Sequence, residues 1–311
     1  MMAQVMGVLE TVVPVLVMLG LGMVARRTGL ISRAGIGDMR KFVMNITLPA
    51  VLFSAFSTAS YSIESLFTPL AMFIVCVIAM ALGRVGGKLL KLPSRFVPFL
   101  TTGFEAGMLG YALFALLYGQ AAVERFALID LGQVLFVFTL YTVLLGRMEG
   151  KAAGAGAIAR SLVTSPTILA IAAGVALGAS GLMRDMRAFG GDALCQSIAN
   201  FISAPTAGVI LMTIGYDLVP REIRWKEALS TVALRLLVMG VLLLALLPVV
   251  GRVFPNDPMT KNALILMFLL PPPYVLPIMA DDEDERAYVS SVLSILTLVA
   301  IAGFAVLAAL A

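Results

Sequence analysis

The sequence predicts an all-α membrane protein of ten transmembrane helices, arranged as a five-plus-five inverted repeat in which broken helices 4 and 9 cross. Three observations predict it. The 311 residues are 60% hydrophobic and only 13% charged, against about 25% charged in a soluble domain, so such a chain cannot cover its surface in water. Ten apolar stretches follow one another, each close to the ~20 residues that span about 30 Å of hydrocarbon. The basic residues fall in alternate loops, as they do in a polytopic membrane protein.

The stretches lie at 8–25, 39–58, 67–83, 97–117, 126–145, 164–182, 193–214, 228–250, 261–280 and 287–310. They are long and do not alternate in polarity, which excludes barrel strands. The first is read as a retained helix. Residues 1–9 carry no Lys or Arg, and Arg26 and Arg27 follow the apolar run, the reverse of a cleaved signal peptide. The whole chain, 1–311, reads as one integral membrane unit with no sizeable domain outside the bilayer.

One set of loops carries Arg26, Arg27, Arg33, Arg40 and Lys41, then Arg84, Lys88, Lys91 and Arg95, then Arg147, Lys151 and Arg160, then Arg221, Arg224 and Lys226, and finally Arg286. The opposite set carries only Arg125, Arg184, Arg187, Arg252 and Lys261. The positive-inside rule puts the first set in the cytoplasm and both termini outside. The net charge of +4 reflects these loops and does not suggest nucleic-acid binding. The acidic run 281–285 in the last cytoplasmic loop is read as a solvated turn.

Cys76 and Cys195 fall inside apolar stretches and read as small packed residues. With no His and no cysteine pattern, no metal site is predicted.

Two halves match at a fixed offset. Pro14 pairs with Pro166, Gly22 with Gly174, and Gly29-Leu30 with Gly181-Leu182, all 152 residues apart. Asn45 and Pro49 have counterparts in Asn200 and Pro205, at offsets of 155 and 156. The halves are residues 1–150 and 151–311, with five helices each. An odd number of crossings makes the second half enter from the opposite side, as in many secondary transporters.

The fourth and ninth stretches are interrupted at equivalent positions. Gly103, Gly107 and Gly110 weaken the fourth, each by about 1 kcal/mol relative to Ala. Pro271, Pro272 and Pro273 make a continuous ninth helix impossible, because proline lacks the N–H and clashes with the previous turn. Matched interruptions of this kind point to a transporter's binding site. Unwound backbone at membrane depth is tolerated only inside protein or beside a wet cavity.

Glu105 sits mid-span among apolar neighbours. It reads either as a proton- or cation-coupling group or as an acid bonded to unwound backbone. Asn45 and Asn200, just before Pro49 and Pro205, either serve a ligand or cap a broken helix. Tyr111 and Tyr274 flank the breaks and either line the cavity or belong to the core. Asp130 and Gln133 in the fifth stretch are weaker candidates. Arg235 is read first as snorkelling to the cytoplasmic end of its helix, and second as a partner to an acid or anionic substrate.

These residues carry a resemblance. Asn45-Ile-Thr-Leu-Pro49 followed by Val-Leu-Phe resembles the second-helix signature of the auxin efflux carrier family. The glycine-rich fourth stretch with Leu109-Gly110-Tyr111, and then Tyr118-Gly119, is similar to that family's fourth-helix motif. Ser165-Pro166-Thr167 is similar to its usual Asn-Pro opening of the sixth helix. The likeness covers essentially the whole chain and is nearest to the bacterial members.

The resemblance implies the fold of bile-acid/sodium symporters and sodium/proton antiporters. It implies a scaffold of helices 1, 2, 6 and 7, a transport part of helices 3–5 and 8–10, elevator-type alternating access, and a homodimer in the inner membrane. It also implies substrates such as auxins, malate or malonate. One position departs from the family. Members that bind carboxylates commonly have Asn near the fourth-helix break, where this chain has Glu105. A negative charge there repels an anion unless a proton or a cation neutralises it, which turns attention to coupling with H⁺ or Na⁺.

The expectation is a secondary active transporter of a small organic anion or weak acid, with no cofactor and no enzymatic activity. A passive facilitator and a membrane sensor with a transporter fold are the alternatives. There is no nucleotide-binding loop to support ATP-driven transport.

Overall fold

A computed structural model of the protein describes all residues except 1, 60, 62–65, 149–155, 157–159, 161, 162, 187, 189, 219–222, 256, 281 and 311. Lys151, Arg187, Arg221 and Asp281, and the junction of the predicted halves at 150/151, lie outside the described residues.

The described residues form helices and connecting turns, without strands. Seven helices among them are long and apolar enough to cross a membrane: Leu9–Thr28 (the helix itself starts at Met2), Arg33–Thr58, Phe67–Leu89, Val123–Met148, Gly191–Asp217, Trp225–Val253 and Glu283–Leu310. Three shorter apolar helices are Ala106–Tyr118, Pro166–Ala179 and Pro258–Leu269. The predicted fourth stretch is divided into Val97–Leu100 and Ala106–Tyr118, and the predicted ninth is α-helical only as far as Leu269.

Several helices run past the predicted boundaries because polar turns are recruited at their ends. Arg33 is reached because the Ser32 hydroxyl accepts the Gly35 N–H at 3.0 Å, an N-cap. The acidic run is a correction of the same kind. Residues 283–285 form the first turn of Glu283–Leu310, capped by Asp282, and remain largely exposed. Asp282 accepts the Glu285 N–H at 2.9 Å, Asp284 pairs with Arg224 at 2.7 Å and Glu285 with Arg95 at 3.1 Å. Carboxylates at a helix N-terminus oppose its positive dipole end, which is why an acidic turn becomes helical here.

The chain divides into two compact units. The first holds residues 1–66, 107–128 and 155–218. Within it, the Met2–Thr28 helix lies against Thr206–Asp217 at Gly22 and Gly215. A side-chain carbon on Gly22 would strike the Met212 carbonyl, and one on Gly215 would strike the Leu19 backbone. Pro166–Ala179 lies against Leu48–Thr58 at Gly174 and Gly178. A carbon there would come within 2.9 Å of the Phe53 carbonyl and 2.7 Å of the Phe56 carbonyl, respectively. Without a hydrophobic drive between helices in lipid, this close backbone approach supplies the packing.

The second unit holds residues 67–106, 129–154 and 219–311. Gly132 of Val123–Met148 touches the Pro69 backbone, Gly83 faces the Thr101 side chain, and Gly303 faces Leu269. Aromatic rings fill the interior: Phe99 meets Tyr141 edge-on at 5.1 Å, and Phe73 meets Phe136 at 6.1 Å. Both interrupted segments, 101–105 and 270–275, lie in this unit.

Candidate functional site

The triple proline dictates the local backbone. In a continuous helix the carbonyls of Met267, Phe268 and Leu269 would accept from the N–H groups of residues 271–273. All three are proline and have none. The helix therefore closes at Leu269, with the Leu270 N–H folded back onto Met267 O at 3.1 Å. Leu270 itself is extended, with ψ 148°.

The first donor after the prolines is the Tyr274 N–H. Its helical partner would have been the Leu270 carbonyl. The two are served separately instead. The Tyr274 N–H donates to Glu105 Oε2 at 2.6 Å, and Leu270 O accepts from Arg235 Nη2 at 2.9 Å. Glu105 and Arg235 thus replace the two ends of one missing helical hydrogen bond.

The other segment crosses at the same place. Val97–Leu100 stops at Thr101, and Gly103 turns the chain with φ +68°, the left-handed region that suits glycine. The Glu105 N–H donates to Pro271 O at 2.7 Å, tying the two unwound strands together. The Thr102 hydroxyl donates to Cys76 O at 2.6 Å. A side-chain carbon on Gly103 would lie 3.1 Å from Pro273 Cδ.

Arg235 is the larger correction to the sequence reading. It does not snorkel: it is 1% exposed. Its guanidinium donates to four carbonyls, Leu100 O at 3.0 Å, Thr102 O at 3.3 Å, Gly103 O at 2.8 Å and Leu270 O at 2.9 Å. It also sits over the Phe104 ring, 5.6 Å from its centroid. Both broken helices end at this cation, and helix C-termini carry the negative end of the dipole. The only signal for this role in the sequence was the charge itself at membrane depth.

Gly103→Ala is expected to lower the melting temperature of the detergent-solubilised protein. The left-handed backbone alone costs an alanine about 1–2 kcal/mol, before its contact with Pro273. Gly20→Ala, at a helical glycine with open space around it, is the comparison and should not be destabilising.

The remaining predicted residues divide. Pro271 and Pro272 are buried at the crossing, Pro273 and Tyr274 are half-buried, and the Tyr274 hydroxyl bonds Thr297 at 2.8 Å. Glu105 is 9% exposed. Gly107 and Gly110 lie in the π-helical turn Ala106–Gly110 that starts the next helix. The Tyr111 ring packs edge-on against Phe126 at 5.0 Å. Gly107, Gly110 and Tyr111 belong to the first unit.

Asn45, Pro49, Asn200 and Pro205 are also in the first unit. Asn45 stands on the π-turn Val43–Thr47 and donates to Lys41 O at 2.8 Å, so its amide serves its own helix. Pro49 is buried at the start of the Leu48–Thr58 segment. Asn200 and Pro205 are exposed, Asn200 in the last turn of Gly191–Ser203 and Pro205 in the Ala204–Pro205 turn that follows. The Asn200 carbonyl accepts from the Ala204 N–H at 3.0 Å and the Ser203 hydroxyl at 3.1 Å.

In the second unit, Asp130 and Gln133 are buried and joined at 2.9 Å. Cys76 is buried, whereas Cys195 is only half-buried.

Residues 7–165 match the sequence model of a family described as membrane transport protein. The chain is 26% identical over 246 residues to an uncharacterized transporter of Methanothermobacter thermautotrophicus, covering 75% of this chain and 76% of that protein. It is 23% identical over 233 residues to an uncharacterized transporter of Methanocaldococcus jannaschii, covering 70% of this chain and 71% of that one.

Proposed function

The chain belongs to the membrane transport protein family, that of the auxin efflux carriers, and from that premise we propose that it is a secondary active transporter of a small organic anion or weak acid, with Glu105 as its coupling group. The observation that carries this is the Glu105 carboxylate receiving the Tyr274 N–H where two unwound segments cross. Arg235, a buried cation, binds the same two segments at Gly103 O and Leu270 O. With Glu105 ionised the pair is neutral. With Glu105 protonated, or holding Na⁺, the pair carries a net positive charge. An anion then binds more favourably, and by reciprocity the anion favours proton or cation uptake. Auxin-, malate- and malonate-like carboxylates are the substrate class.

Ten spans in two inverted halves are part of the proposal. The glycine contacts support it. Gly22 and Gly174 are one residue pair of the 152-residue offset. Gly22 meets the helix that contains the predicted seventh span, and Gly174 meets the helix of the predicted second. That is the exchange an internal two-fold axis requires. The division of the chain into two compact units supports elevator-type alternating access. The basic loops support a bacterial inner-membrane location with the Arg26 to Lys41 loop in the cytoplasm, and a homodimer completes the proposal.

The test is uptake of labelled malonate, malate or indole-3-acetate into proteoliposomes under imposed proton and sodium gradients. Glu105→Gln keeps a carbonyl to accept the Tyr274 N–H but removes the charge, so the crossing survives while coupling is lost. The wild type is expected to accumulate solute against its gradient, and the variant only to equilibrate it. Identical ion dependence in the two proteins would sink the coupling role. Equilibration without accumulation by the wild type would make it a passive facilitator.

A further inference from the structure

The second unit contains a cavity of about 640 Å³, lined in part by Val97, Pro98 and Phe99 of the short helix that leads into the unwound segment 101–105. Its floor is apolar, formed by Met80, Val97, Phe99 and Leu144. Gly83 and Gly87 also line it, and there the helix packs closely on the Thr101 and Val97 side chains. Its rim carries Arg84, Lys88, Lys91 and Arg147, and also Arg95, which is matched by Glu285 at 3.1 Å. The first four form no ion pair among the described residues. Arg84 and Lys88 follow the i, i+4 spacing that puts them on one face of Phe67–Leu89, and Lys91 follows in the turn just past its end.

Lys91 adds a second observation. Its φ is +51°, a left-handed conformation at the end of Phe67–Leu89, where the Leu92 N–H closes onto Gly87 O at 2.9 Å. Glycine is the usual residue at such a helix end. A lysine there accepts backbone strain and adds a cation to the rim.

We propose that this cavity binds an anionic membrane phospholipid, with the phosphate among the four unpaired cations and an acyl chain along the apolar floor. Basic pockets beside transmembrane helices on the cytoplasmic side recognise such head groups. A small soluble carboxylate fits the cavity less well, because the floor offers it no oriented polar group. The Ser94 hydroxyl is already committed to Glu285 at 3.1 Å and to the Phe96 N–H at 3.0 Å.

The test uses the full chain in detergent, titrated with phosphatidylglycerol or phosphatidylcholine, with bound lipid read by native mass spectrometry and melting temperature followed in parallel. Phosphatidylglycerol is expected to bind selectively. The triple variant Arg84→Gln, Lys88→Gln, Arg147→Gln should bind it about a hundredfold more weakly, at roughly fivefold per cation removed. Arg27→Gln, Arg33→Gln, Lys226→Gln removes as many exposed charges from helix ends elsewhere and should leave binding unchanged.

Lys91→Gly guards against misfolding of the triple variant. It should weaken phosphatidylglycerol binding about fivefold, with no fall in melting temperature without lipid. Equal binding of the two lipids, or equal loss in the helix-end control, overturns the proposal. So does inorganic phosphate that raises the melting temperature as the lipid does and displaces it, since the cavity would then be a soluble-anion site.

Discussion

Arg235→Met is expected to destabilise the protein by about 4 kcal/mol or more, a fall in melting temperature on the order of 10 °C. Methionine fills much of the same volume and removes the cost of burying a charge. It supplies no donor, however, for the carbonyls of Leu100, Thr102, Gly103 and Leu270. Each buried carbonyl left without a partner costs about 1–3 kcal/mol. The Tyr274 N–H, which would serve Leu270 O in a continuous helix, is already taken by Glu105.

Arg235→Lys separates geometry from charge. The ammonium is a compact point charge with three donors, and it lacks the planar fork that reaches both chain segments. It should recover part of the stability and less of the transport. A melting temperature for Arg235→Met within about 3 °C of wild type would show that the carbonyls find other partners and that the cation is not what holds the crossing. Transport by a folded Arg235→Met variant at the wild-type rate would remove Arg235 from the proposed anion–proton linkage while leaving its structural role intact.

The second large effect is expected at Gly132. Its missing side chain lets Val123–Met148 press on the Pro69 backbone, and an added Cβ would collide with the Pro69 carbonyl oxygen, with the carbonyl carbon at 2.7 Å and Cα at 2.9 Å. Backbone atoms cannot rotate aside as a side chain can, so the helices must separate. Overpacking of this kind costs about 1–3 kcal/mol or more.

The collision begins at the first carbon. Gly132→Ala should therefore be nearly as damaging as Gly132→Val, even though alanine is a better helix former than the glycine it replaces by about 1 kcal/mol. Detergent melting of both variants checks this. A stable Gly132→Ala protein is the result that defeats it. Separation here would also disturb the neighbours of Gly132 on the same helix, the buried Asp130–Gln133 pair and Tyr141 against Phe99.

That the fourth and ninth stretches are interrupted was legible in the sequence because it is a local property, although the first break is confined to 101–105 and Gly107 and Gly110 lie in the helical turn beyond it. Three prolines remove three consecutive donors wherever the chain goes. The apolar helices were legible for the same reason, since residue type and run length set the partition into lipid. The extension of Glu283–Leu310 into the acidic run was missed, because it depends on Asp282 as a cap and on Arg224 and Arg95 from other segments. Tyr111 could be placed beside a break but not assigned a partner, and in the structure its ring packs on Phe126.

Glu105 and Arg235 mark the boundary most clearly. By itself, the sequence determined that a carboxylate and a cation lie within apolar spans and that two spans are broken. Only the tertiary structure decided that Glu105 takes the N–H and Arg235 the carbonyl of the bond that the prolines prevent. Glu105 lies 169 residues from Tyr274, and Arg235 lies 132 to 135 residues from the first segment's carbonyls. Helix breaking follows from covalent structure within four residues. Satisfying the broken ends depends on which distant side chain packing brings there, and no local pattern encodes that.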